Sequence, residues 1–398
     1  MDYSSIVGKA IDSTRIAEKA YCKFLSANDC GKTNAHQAGI LISIKALPML
    51  FDKEITELEH IEKRTVKIKW QDDIETDSNF TFYESKTELR ITAFGRNFPF
   101  LNKEDTGGLF IFTEQDREHY SGFFLLTEDE INDYLDAIGI SPTETNAIIE
   151  KRGKIAENIT EYNLAQNYIK QFTGIDLITQ FPDSETMSRI AREIENTIYN
   201  HRDYTVKKPD LKLISYTEQE YRLFRQFELS VYGYRIHRGF QDVESFIELA
   251  NQVLNRRKSR AGKSLEHHIA AIFDDNKIQY EEQVITEGNK KPDFIFPSGK
   301  AYHSFSYPTE KLISLASKTT CKDRWRQVIN EADRLRDRNK YLLTLQQGIS
   351  AAQLSEMEQE KVVLVVPKKY ISLYPTSYQS KIWSVKKFIE YVKEVEAL

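Results

Sequence analysis

Apolar and polar positions recur with two different periods along this chain, and the change between them falls near Glu128. Upstream, AGILISIKAL, RTVKIKW, NFTFYES, LRITAF, GGLFIF and SGFFLL are short runs rich in β-branched and aromatic residues. Such runs suit a pleated surface with a buried face. Breaks rich in Asp, Asn and Gly separate them, QDDIETDSN and NKEDTGG among these. The spacing predicts a mainly β barrel or pseudobarrel. Downstream, helical periodicity takes over in EDEINDYLDAIG, SETMSRIAREIENTIYN, EQEYRLFRQFELSVYGYRI, DVESFIELANQVLNRR and KSLEHHIAAIFDDN. Two strands follow, EEQVITEG and KKPDFIFPSG, turning through Gly288-Asn289, which suits a hairpin. A third strand, KLISLASKTT, precedes a predicted helix, KDRWRQVINEADRLRD; a β-branched strand, KVVLVVP, and a helix, SVKKFIEYVKEV, complete the order. That order predicts an α/β domain on a small mixed sheet. The expected division is a β domain over 1–160, a hinge over 161–180 and an α/β domain over 181–398.

Composition narrows the function classes. Apolar residues make up 40% and aromatics 12% of the 398 residues, enough for a substantial core. Cys22, Cys30 and Cys321 form no CxxC pair and no Cys/His cluster, which argues against structural zinc and fits a reducing cytoplasm. The first residues lack the apolar segment of a secretory signal, and no run is long and apolar enough to span a bilayer. A cytoplasmic location without membrane contact is therefore expected. The net charge of −5 excludes a uniformly basic nucleic-acid coat, but a specific DNA enzyme needs only local clustering. One cluster exists: Arg256, Arg257, Lys258, Arg260 and Lys263, with no acid among them. A run like this is more often a solvated face; DNA-backbone contact is the sharper reading.

Hydrolysing a phosphodiester needs a nucleophile, neutralisation of the phosphate and a stabilised leaving oxygen. Carboxylate-held divalent metal with a nearby lysine supplies all three. Asp293 opens the strand Phe294, Ile295, Phe296, and Lys318 ends LISLASK. Alternation puts Lys318 on one face with Ala316, where the common PD-(D/E)xK nuclease pattern has an acid. Glu331, on the predicted helix with apolar Trp325, Val328, Ile329, Ala332 and Leu335, can replace that acid. Arg324 lies two turns earlier on nearly the same side. Asp323 suits an N-cap. Glu266 neighbours the stripe Leu265, Ile269, Ile272, Phe273 and is a fourth candidate, though an exposed helix glutamate is an equally good account.

NRRKSRAGKSLE, ITEGNKKPDFIFPS, AYH and KTTCKDRWRQVINEAD closely resemble the catalytic domain of EcoRII-type restriction endonucleases. LSANDCGKTNAHQAG, ELRIT and EDTGGL are similar, more loosely, to that family's effector DNA-binding pseudobarrel. The resemblance implies a magnesium-dependent type II enzyme with a PD-(D/E)xK restriction-endonuclease-like domain. Asp293, Glu331 and Glu266 would form the metal site, Lys318 would act on the attacking water, and Tyr302 would belong to the active site. Lys322, Asp323 and Arg324 would read CC/GG pairs, since Arg or Lys donates to guanine and a carboxylate accepts from cytosine N4. His36, Lys86, Glu88 and Arg90 would hold an effector copy of the site. Leu41 and Leu89 depart from the family there, by an aromatic and a basic residue. The resemblance further implies a homodimer on duplex DNA, needing two sites and autoinhibited by its first domain. A cognate methyltransferase would act on the same site without a stable complex. Two other readings are a sequence-specific DNA-binding protein without cleavage, and a repair or recombination nuclease of loose specificity.

Overall fold

The computed structural model describes residues 5–31, 39–95, 97–149, 159–174 and 180–397. In the first half, α1 (Ile6–Ile16) leads into β1 (Lys19–Phe24), β2 (Gly39–Ile42) and the single turn α2 (Leu47–Leu50). Five strands follow: β3 (Ile61–Trp70), β4 (Glu75–Tyr83), β5 (Glu88–Thr92), β6 (Leu109–Glu114) and β7 (His119–Leu125). Then come α3 (Glu128–Ile138) and β8 (Ala147–Ile149). The sheet runs β2-β5-β4-β3-β7-β6-β1-β8, with β3–β7 parallel and its other pairs antiparallel. Tyr21 of β1, near one end of that order, and Ile40 of β2, at the other, enter the same core as Trp70, Phe80, Phe112 and Phe124. The sheet thus wraps around its own side chains, as the predicted pseudobarrel requires. Its outer face, Cys22, Phe24, Leu109 and Ile111, is covered by α1 and α3.

The second half begins with α4 (Ile159–Thr173), α5 (Ser184–Tyr199), α6 (Tyr204–Lys207), α7 (Pro209–Arg238) and α8 (Val243–Asp275). β9 (Glu281–Glu282), β10 (Phe294–Phe296), α9 (Gly299–His303), β11 (Ile313–Lys318) and β12 (Lys340–Thr344) follow. α10 (Ala351–Gln359), β13 (Val362–Val366), β14 (Trp383–Ser384) and α11 (Val385–Ala397) complete it. The mixed sheet is ordered β14-β13-β12-β11-β10-β9: antiparallel from β9 to β11, parallel from β11 to β14. Leu265, Ile269, Ile272 and Phe273 seat α8 on Phe294, Phe296, Ile313 and Leu315. α4 falls in the expected hinge, and its Ala165 and Ile169 are buried against α5 and α7. No described helix is long and apolar enough to cross a membrane.

Differences from the predicted order fall in the second half. The two helices predicted over 242–276 are one helix of 33 residues, because interior Gly262 is tolerated within it. β12 has no counterpart in the predicted order, although it is the fully buried strand between β11 and β13. The helix predicted for KDRWRQVINEADRLRD is instead two short 3₁₀ segments, Arg324–Asn330 and Asp333–Leu335. Of its apolar positions, Trp325, Val328, Ala332 and Leu335 are buried and Ile329 is partly buried. Its backbone, however, is claimed from outside: Thr286 Oγ1 donates to the Glu331 carbonyl, Asp333 N donates to Glu287, and Arg334 N donates to Tyr302 Oη. A continuous α-helix would need those groups for its own ladder, and Ala332 leaves the helical region (φ −141°, ψ 81°).

Candidate active site

Pairing of Phe294 with Leu315 puts Asp293 opposite Ala316 at the open end of β10 and β11. Alternation then aims Asp293, Ala316 and Lys318 at one face. Asp293 is held firmly: Oδ2 accepts from Ser317 N (2.7 Å) and Ser317 Oγ (3.2 Å), and Oδ1 from Gln283 Nε2 (3.1 Å). Ala316 is buried beside Trp325 and Val328, so no acid can replace it there without burying a charge in that cluster. Glu331, expected from the sequence to stand in for that acid, follows a 3₁₀ segment and not an α-helix.

Electrostatics tie the four groups together. Burial, then the nearby Asp293 carboxylate, pushes Glu331 up to about 7, while Lys318 and Lys290 pull it down. Burial and Asp293 likewise push Glu266 up to about 7, against Lys263 and Lys318. Both glutamates therefore feel the same anion and the same lysine, so Glu266, Asp293, Lys318 and Glu331 lie within electrostatic reach of one another. Two half-protonated acids beside a third are a site that gains from a cation. Among the described residues no three His, Cys, Asp or Glu side chains are set to hold a metal ion as they stand. Magnesium uses one or two protein carboxylates, with water and phosphate completing its shell, so the donor set fits it.

The segment expected to read bases is tied to α3: Lys322 is buried, while Asp323 and Arg324 stay exposed. The Glu128 carboxylate, at the first turn of α3, accepts from the backbone N–H of Lys322 (3.0 Å), Asp323 (3.1 Å) and Arg324 (3.2 Å). It also accepts from Arg324 Nε (3.0 Å), while Arg324 Nη2 lies 3.1 Å from Asp129. Asp323 does not cap its own segment; its Oδ2 accepts from Glu128 N (3.1 Å). Lys322 is buried, which lowers its pKa. A cleft of about 370 Å³ remains beside this contact, lined by Lys318, Arg324, Lys258, Glu128 and Asp133.

The basic run meets protein along α8. Arg257 Nη1 donates to the carbonyls of Asp136 (2.8 Å) and Ala137 (3.2 Å) near the end of α3, and its other nitrogens donate to Glu228. Lys258 pairs with Asp133 at 2.7 Å. Arg256 donates to Tyr232 Oη and stacks on Phe181; Arg260 stacks on Tyr221 at 3.6 Å. Lys263 is exposed beside Glu266. Tyr302 is buried, and its hydroxyl donates to Glu287 (2.6 Å). In the first half, Glu88 and Arg90 share one face of β5 and pair at 3.1 Å, Lys86 is exposed in the preceding turn, and Leu89 belongs to the core. His36 lies outside the described residues. Glu128, Thr286, Glu287 and Ser317 were not singled out by the sequence. Each acts on a partner remote in the chain, and nothing local marks that.

Residues 15–143 match the family described as Restriction endonuclease EcoRII, N-terminal, and residues 224–389 match EcoRII C terminal. The type II restriction enzyme EcoRII of Escherichia coli is 36% identical over 386 residues, covering 93% of this chain and 92% of its own length. Among solved structures, metal-depleted Ecl18kI in complex with uncleaved, modified DNA covers 60% of this chain and 85% of its own at 17% identity, with a TM-score of 0.46. A PspGI–substrate DNA complex covers 59% and 92%, at 17% identity and a TM-score of 0.38. The sequence matches run through both halves and nearly the full length: the chain belongs to the EcoRII family of type II restriction enzymes.

Proposed function

We propose that this chain is a magnesium-dependent, sequence-specific endonuclease that cuts duplex DNA at a near-palindromic CC–(centre)–GG site. The shared field of Asp293 and Lys318 on Glu266 and Glu331 carries the reading. Asp293 and Glu331, with Glu266 beside them, would hold magnesium, which would supply charge neutralisation for the phosphate and the reacting water. Lys318 orients the attacking water and balances the acids. Arg324 and Lys322 donate to guanine, and Asp323 accepts from cytosine N4. In this reading residues 181–398 cut, 1–160 bind an effector copy of the site through Lys86, Glu88, Arg90 and His36, and 161–180 join them. The hold of Glu128 on residues 322–324 supports autoinhibition, because bases and α3 compete for one segment.

Plasmid digestion with and without magnesium, with the ends mapped by sequencing, tests the reading. Cutting should need magnesium and map to CC–GG sites; retention of binding without cutting would leave only a DNA-binding protein. A metal must displace protons from Glu266 and Glu331, each near 7. The half-saturating magnesium concentration should therefore fall as pH rises from about 6 to about 8. The sign for the metal-free protein is opposite. A raised carboxyl pKa stabilises the fold below the ordinary carboxylate range, and that contribution is lost as pH rises through about 7.

A near-palindrome read on both strands calls for two copies related by a dyad. The tip formed by α7 and α8 leaves Tyr234, Ile236, Val243, Phe246 and Ile247 exposed, and carries basic Arg235 and Arg238 beside acidic Glu244 and Glu248. This exposed apolar patch, with charges of both signs beside it, supports a homodimer through the tip. Replacing Phe246 and Ile247 together by Glu should yield monomers in sedimentation; an unchanged dimer would remove the tip from the interface.

A further inference from the structure

Contacts between the β9–β10 turn and the hook bearing Glu331 have no role in the reading above. Gly288 (φ 68°) and Asn289 (φ 57°) reverse the chain, which brings Thr286 and Glu287 against residues 331–334. Glu287 Oε2 accepts from Tyr302 Oη (2.6 Å) and from Asp333 N (3.2 Å). Tyr302 Oη accepts in turn from Arg334 N (3.3 Å), and the Arg334 guanidinium donates to the carbonyls of Ala301, Tyr302 and Tyr307. The Tyr302 ring is wedged among Ile295, Leu312, Ala332 and Leu335. The two N–H groups after Ala332 are thus taken by Glu287 and Tyr302. In the continuous helix that the local periodicity favours, both would bond one turn back. The clamp selects the hooked backbone, and the hook sets where the Glu331 carboxylate stands.

We propose that Glu287, acting through Tyr302, is a positioning residue that holds Glu331 beside Asp293 and Lys318. Tyr302 serves this clamp and does not touch the reacting phosphate. The inference rests on the reading of Glu331 as a metal carboxylate. Partners that orient a ligand commonly change metal affinity by about 10–100-fold when removed.

Mn²⁺ binding to the full-length protein, followed by electron paramagnetic resonance at about pH 8, separates the possibilities. Glu287 is exposed and phenylalanine keeps the Tyr302 ring, so both sites tolerate substitution. Glu287→Ala and Tyr302→Phe should each weaken Mn²⁺ binding by about 10-fold or more, and the double variant should be no weaker than the worse single, because both break one clamp. Glu287→Gln, which keeps an acceptor oxygen for Tyr302 and Asp333 N, should restore most of the affinity. Wild-type binding by Glu287→Ala and Tyr302→Phe, with binding lost in Glu331→Ala, would overturn the clamp alone. A Glu287→Gln variant as weak as Glu287→Ala would also overturn it, since charge and not the hydrogen bonds would then be at work. Undiminished binding by Glu331→Ala would overturn the metal reading itself, and the clamp with it.

Discussion

Lys318→Ala is expected to slow cleavage of a cognate duplex by about 10³-fold or more, while specific binding of the same duplex stays within roughly threefold. The lysine acts twice. In the proposed function it orients the attacking water, and proton-transfer groups in such positions typically contribute about 10²–10⁴-fold. It also pulls down the carboxyls of Glu266 and Glu331, which already sit near 7. Without it both acids hold their protons more tightly, and a metal must displace them at greater cost. Binding is spared because the groups assigned to base reading, Lys322 to Arg324, follow the strand and are anchored separately. Lys318 ends β11 only partly buried, so its loss opens no core cavity. Single-turnover cleavage and gel-shift titration on one duplex measure the two effects. Loss of binding in parallel with cleavage would make Lys318 a DNA contact and would remove it from the chemistry.

How much of this site is legible in the sequence depends on the range of the interactions that build it. That Lys318 shares a face with Ala316 could be read from period-two alternation alone, whereas the register that sets Asp293 opposite Ala316 is supplied by the paired strands. The α8 stripe that carries Glu266 was legible for the same kind of reason. The apolar positions flanking Glu331 were legible, since Trp325, Val328, Ala332 and Leu335 are buried as their spacing predicts. Its helix was not, because Thr286, Glu287 and Tyr302 take the backbone groups the helix needs. β12 escaped because a five-residue buried run, Lys340–Thr344, carries no periodicity to separate it from a loop or a helix. The basic run was visible, yet its orientation toward α3 was not. Charge identifies a partner's sign and not whether the partner is DNA or protein: Arg257 finds helix carbonyls, and Lys258 finds Asp133.

Glu128→Ala is expected to raise cleavage of DNA carrying a single site by about 10–100-fold and to make added effector duplex correspondingly less stimulating. Glu128 is almost wholly buried and gathers four donors from residues 322–324, while Asp323 returns a bond to its backbone. Removing the carboxylate does not simply delete those bonds. In the docked arrangement it strands N–H groups against an apolar methyl; in the undocked arrangement the same groups meet water. The penalty, about 1–3 kcal/mol for each buried donor left unpaired, falls on the docked state alone, so the equilibrium shifts toward release of residues 322–324 from α3. The shift is incomplete, because other contacts between the halves persist. Arg225 holds Glu144 through both terminal guanidinium nitrogens at 2.9 and 2.6 Å, Gln347 holds the Pro142 carbonyl at 2.7 Å, and a Cβ on Gly107 would run into the Gly348 carbonyl. Effector DNA activates only by preferring one state, so a variant already shifted toward that state must respond less. The same reciprocity predicts that Glu128→Ala binds effector duplex more tightly than wild type. Cleavage rates on one-site and two-site plasmids, with and without effector duplex, test both halves of the argument. A Glu128→Ala protein that cuts one-site DNA no faster than wild type would mean that α3 rests on the reading segment without restraining it.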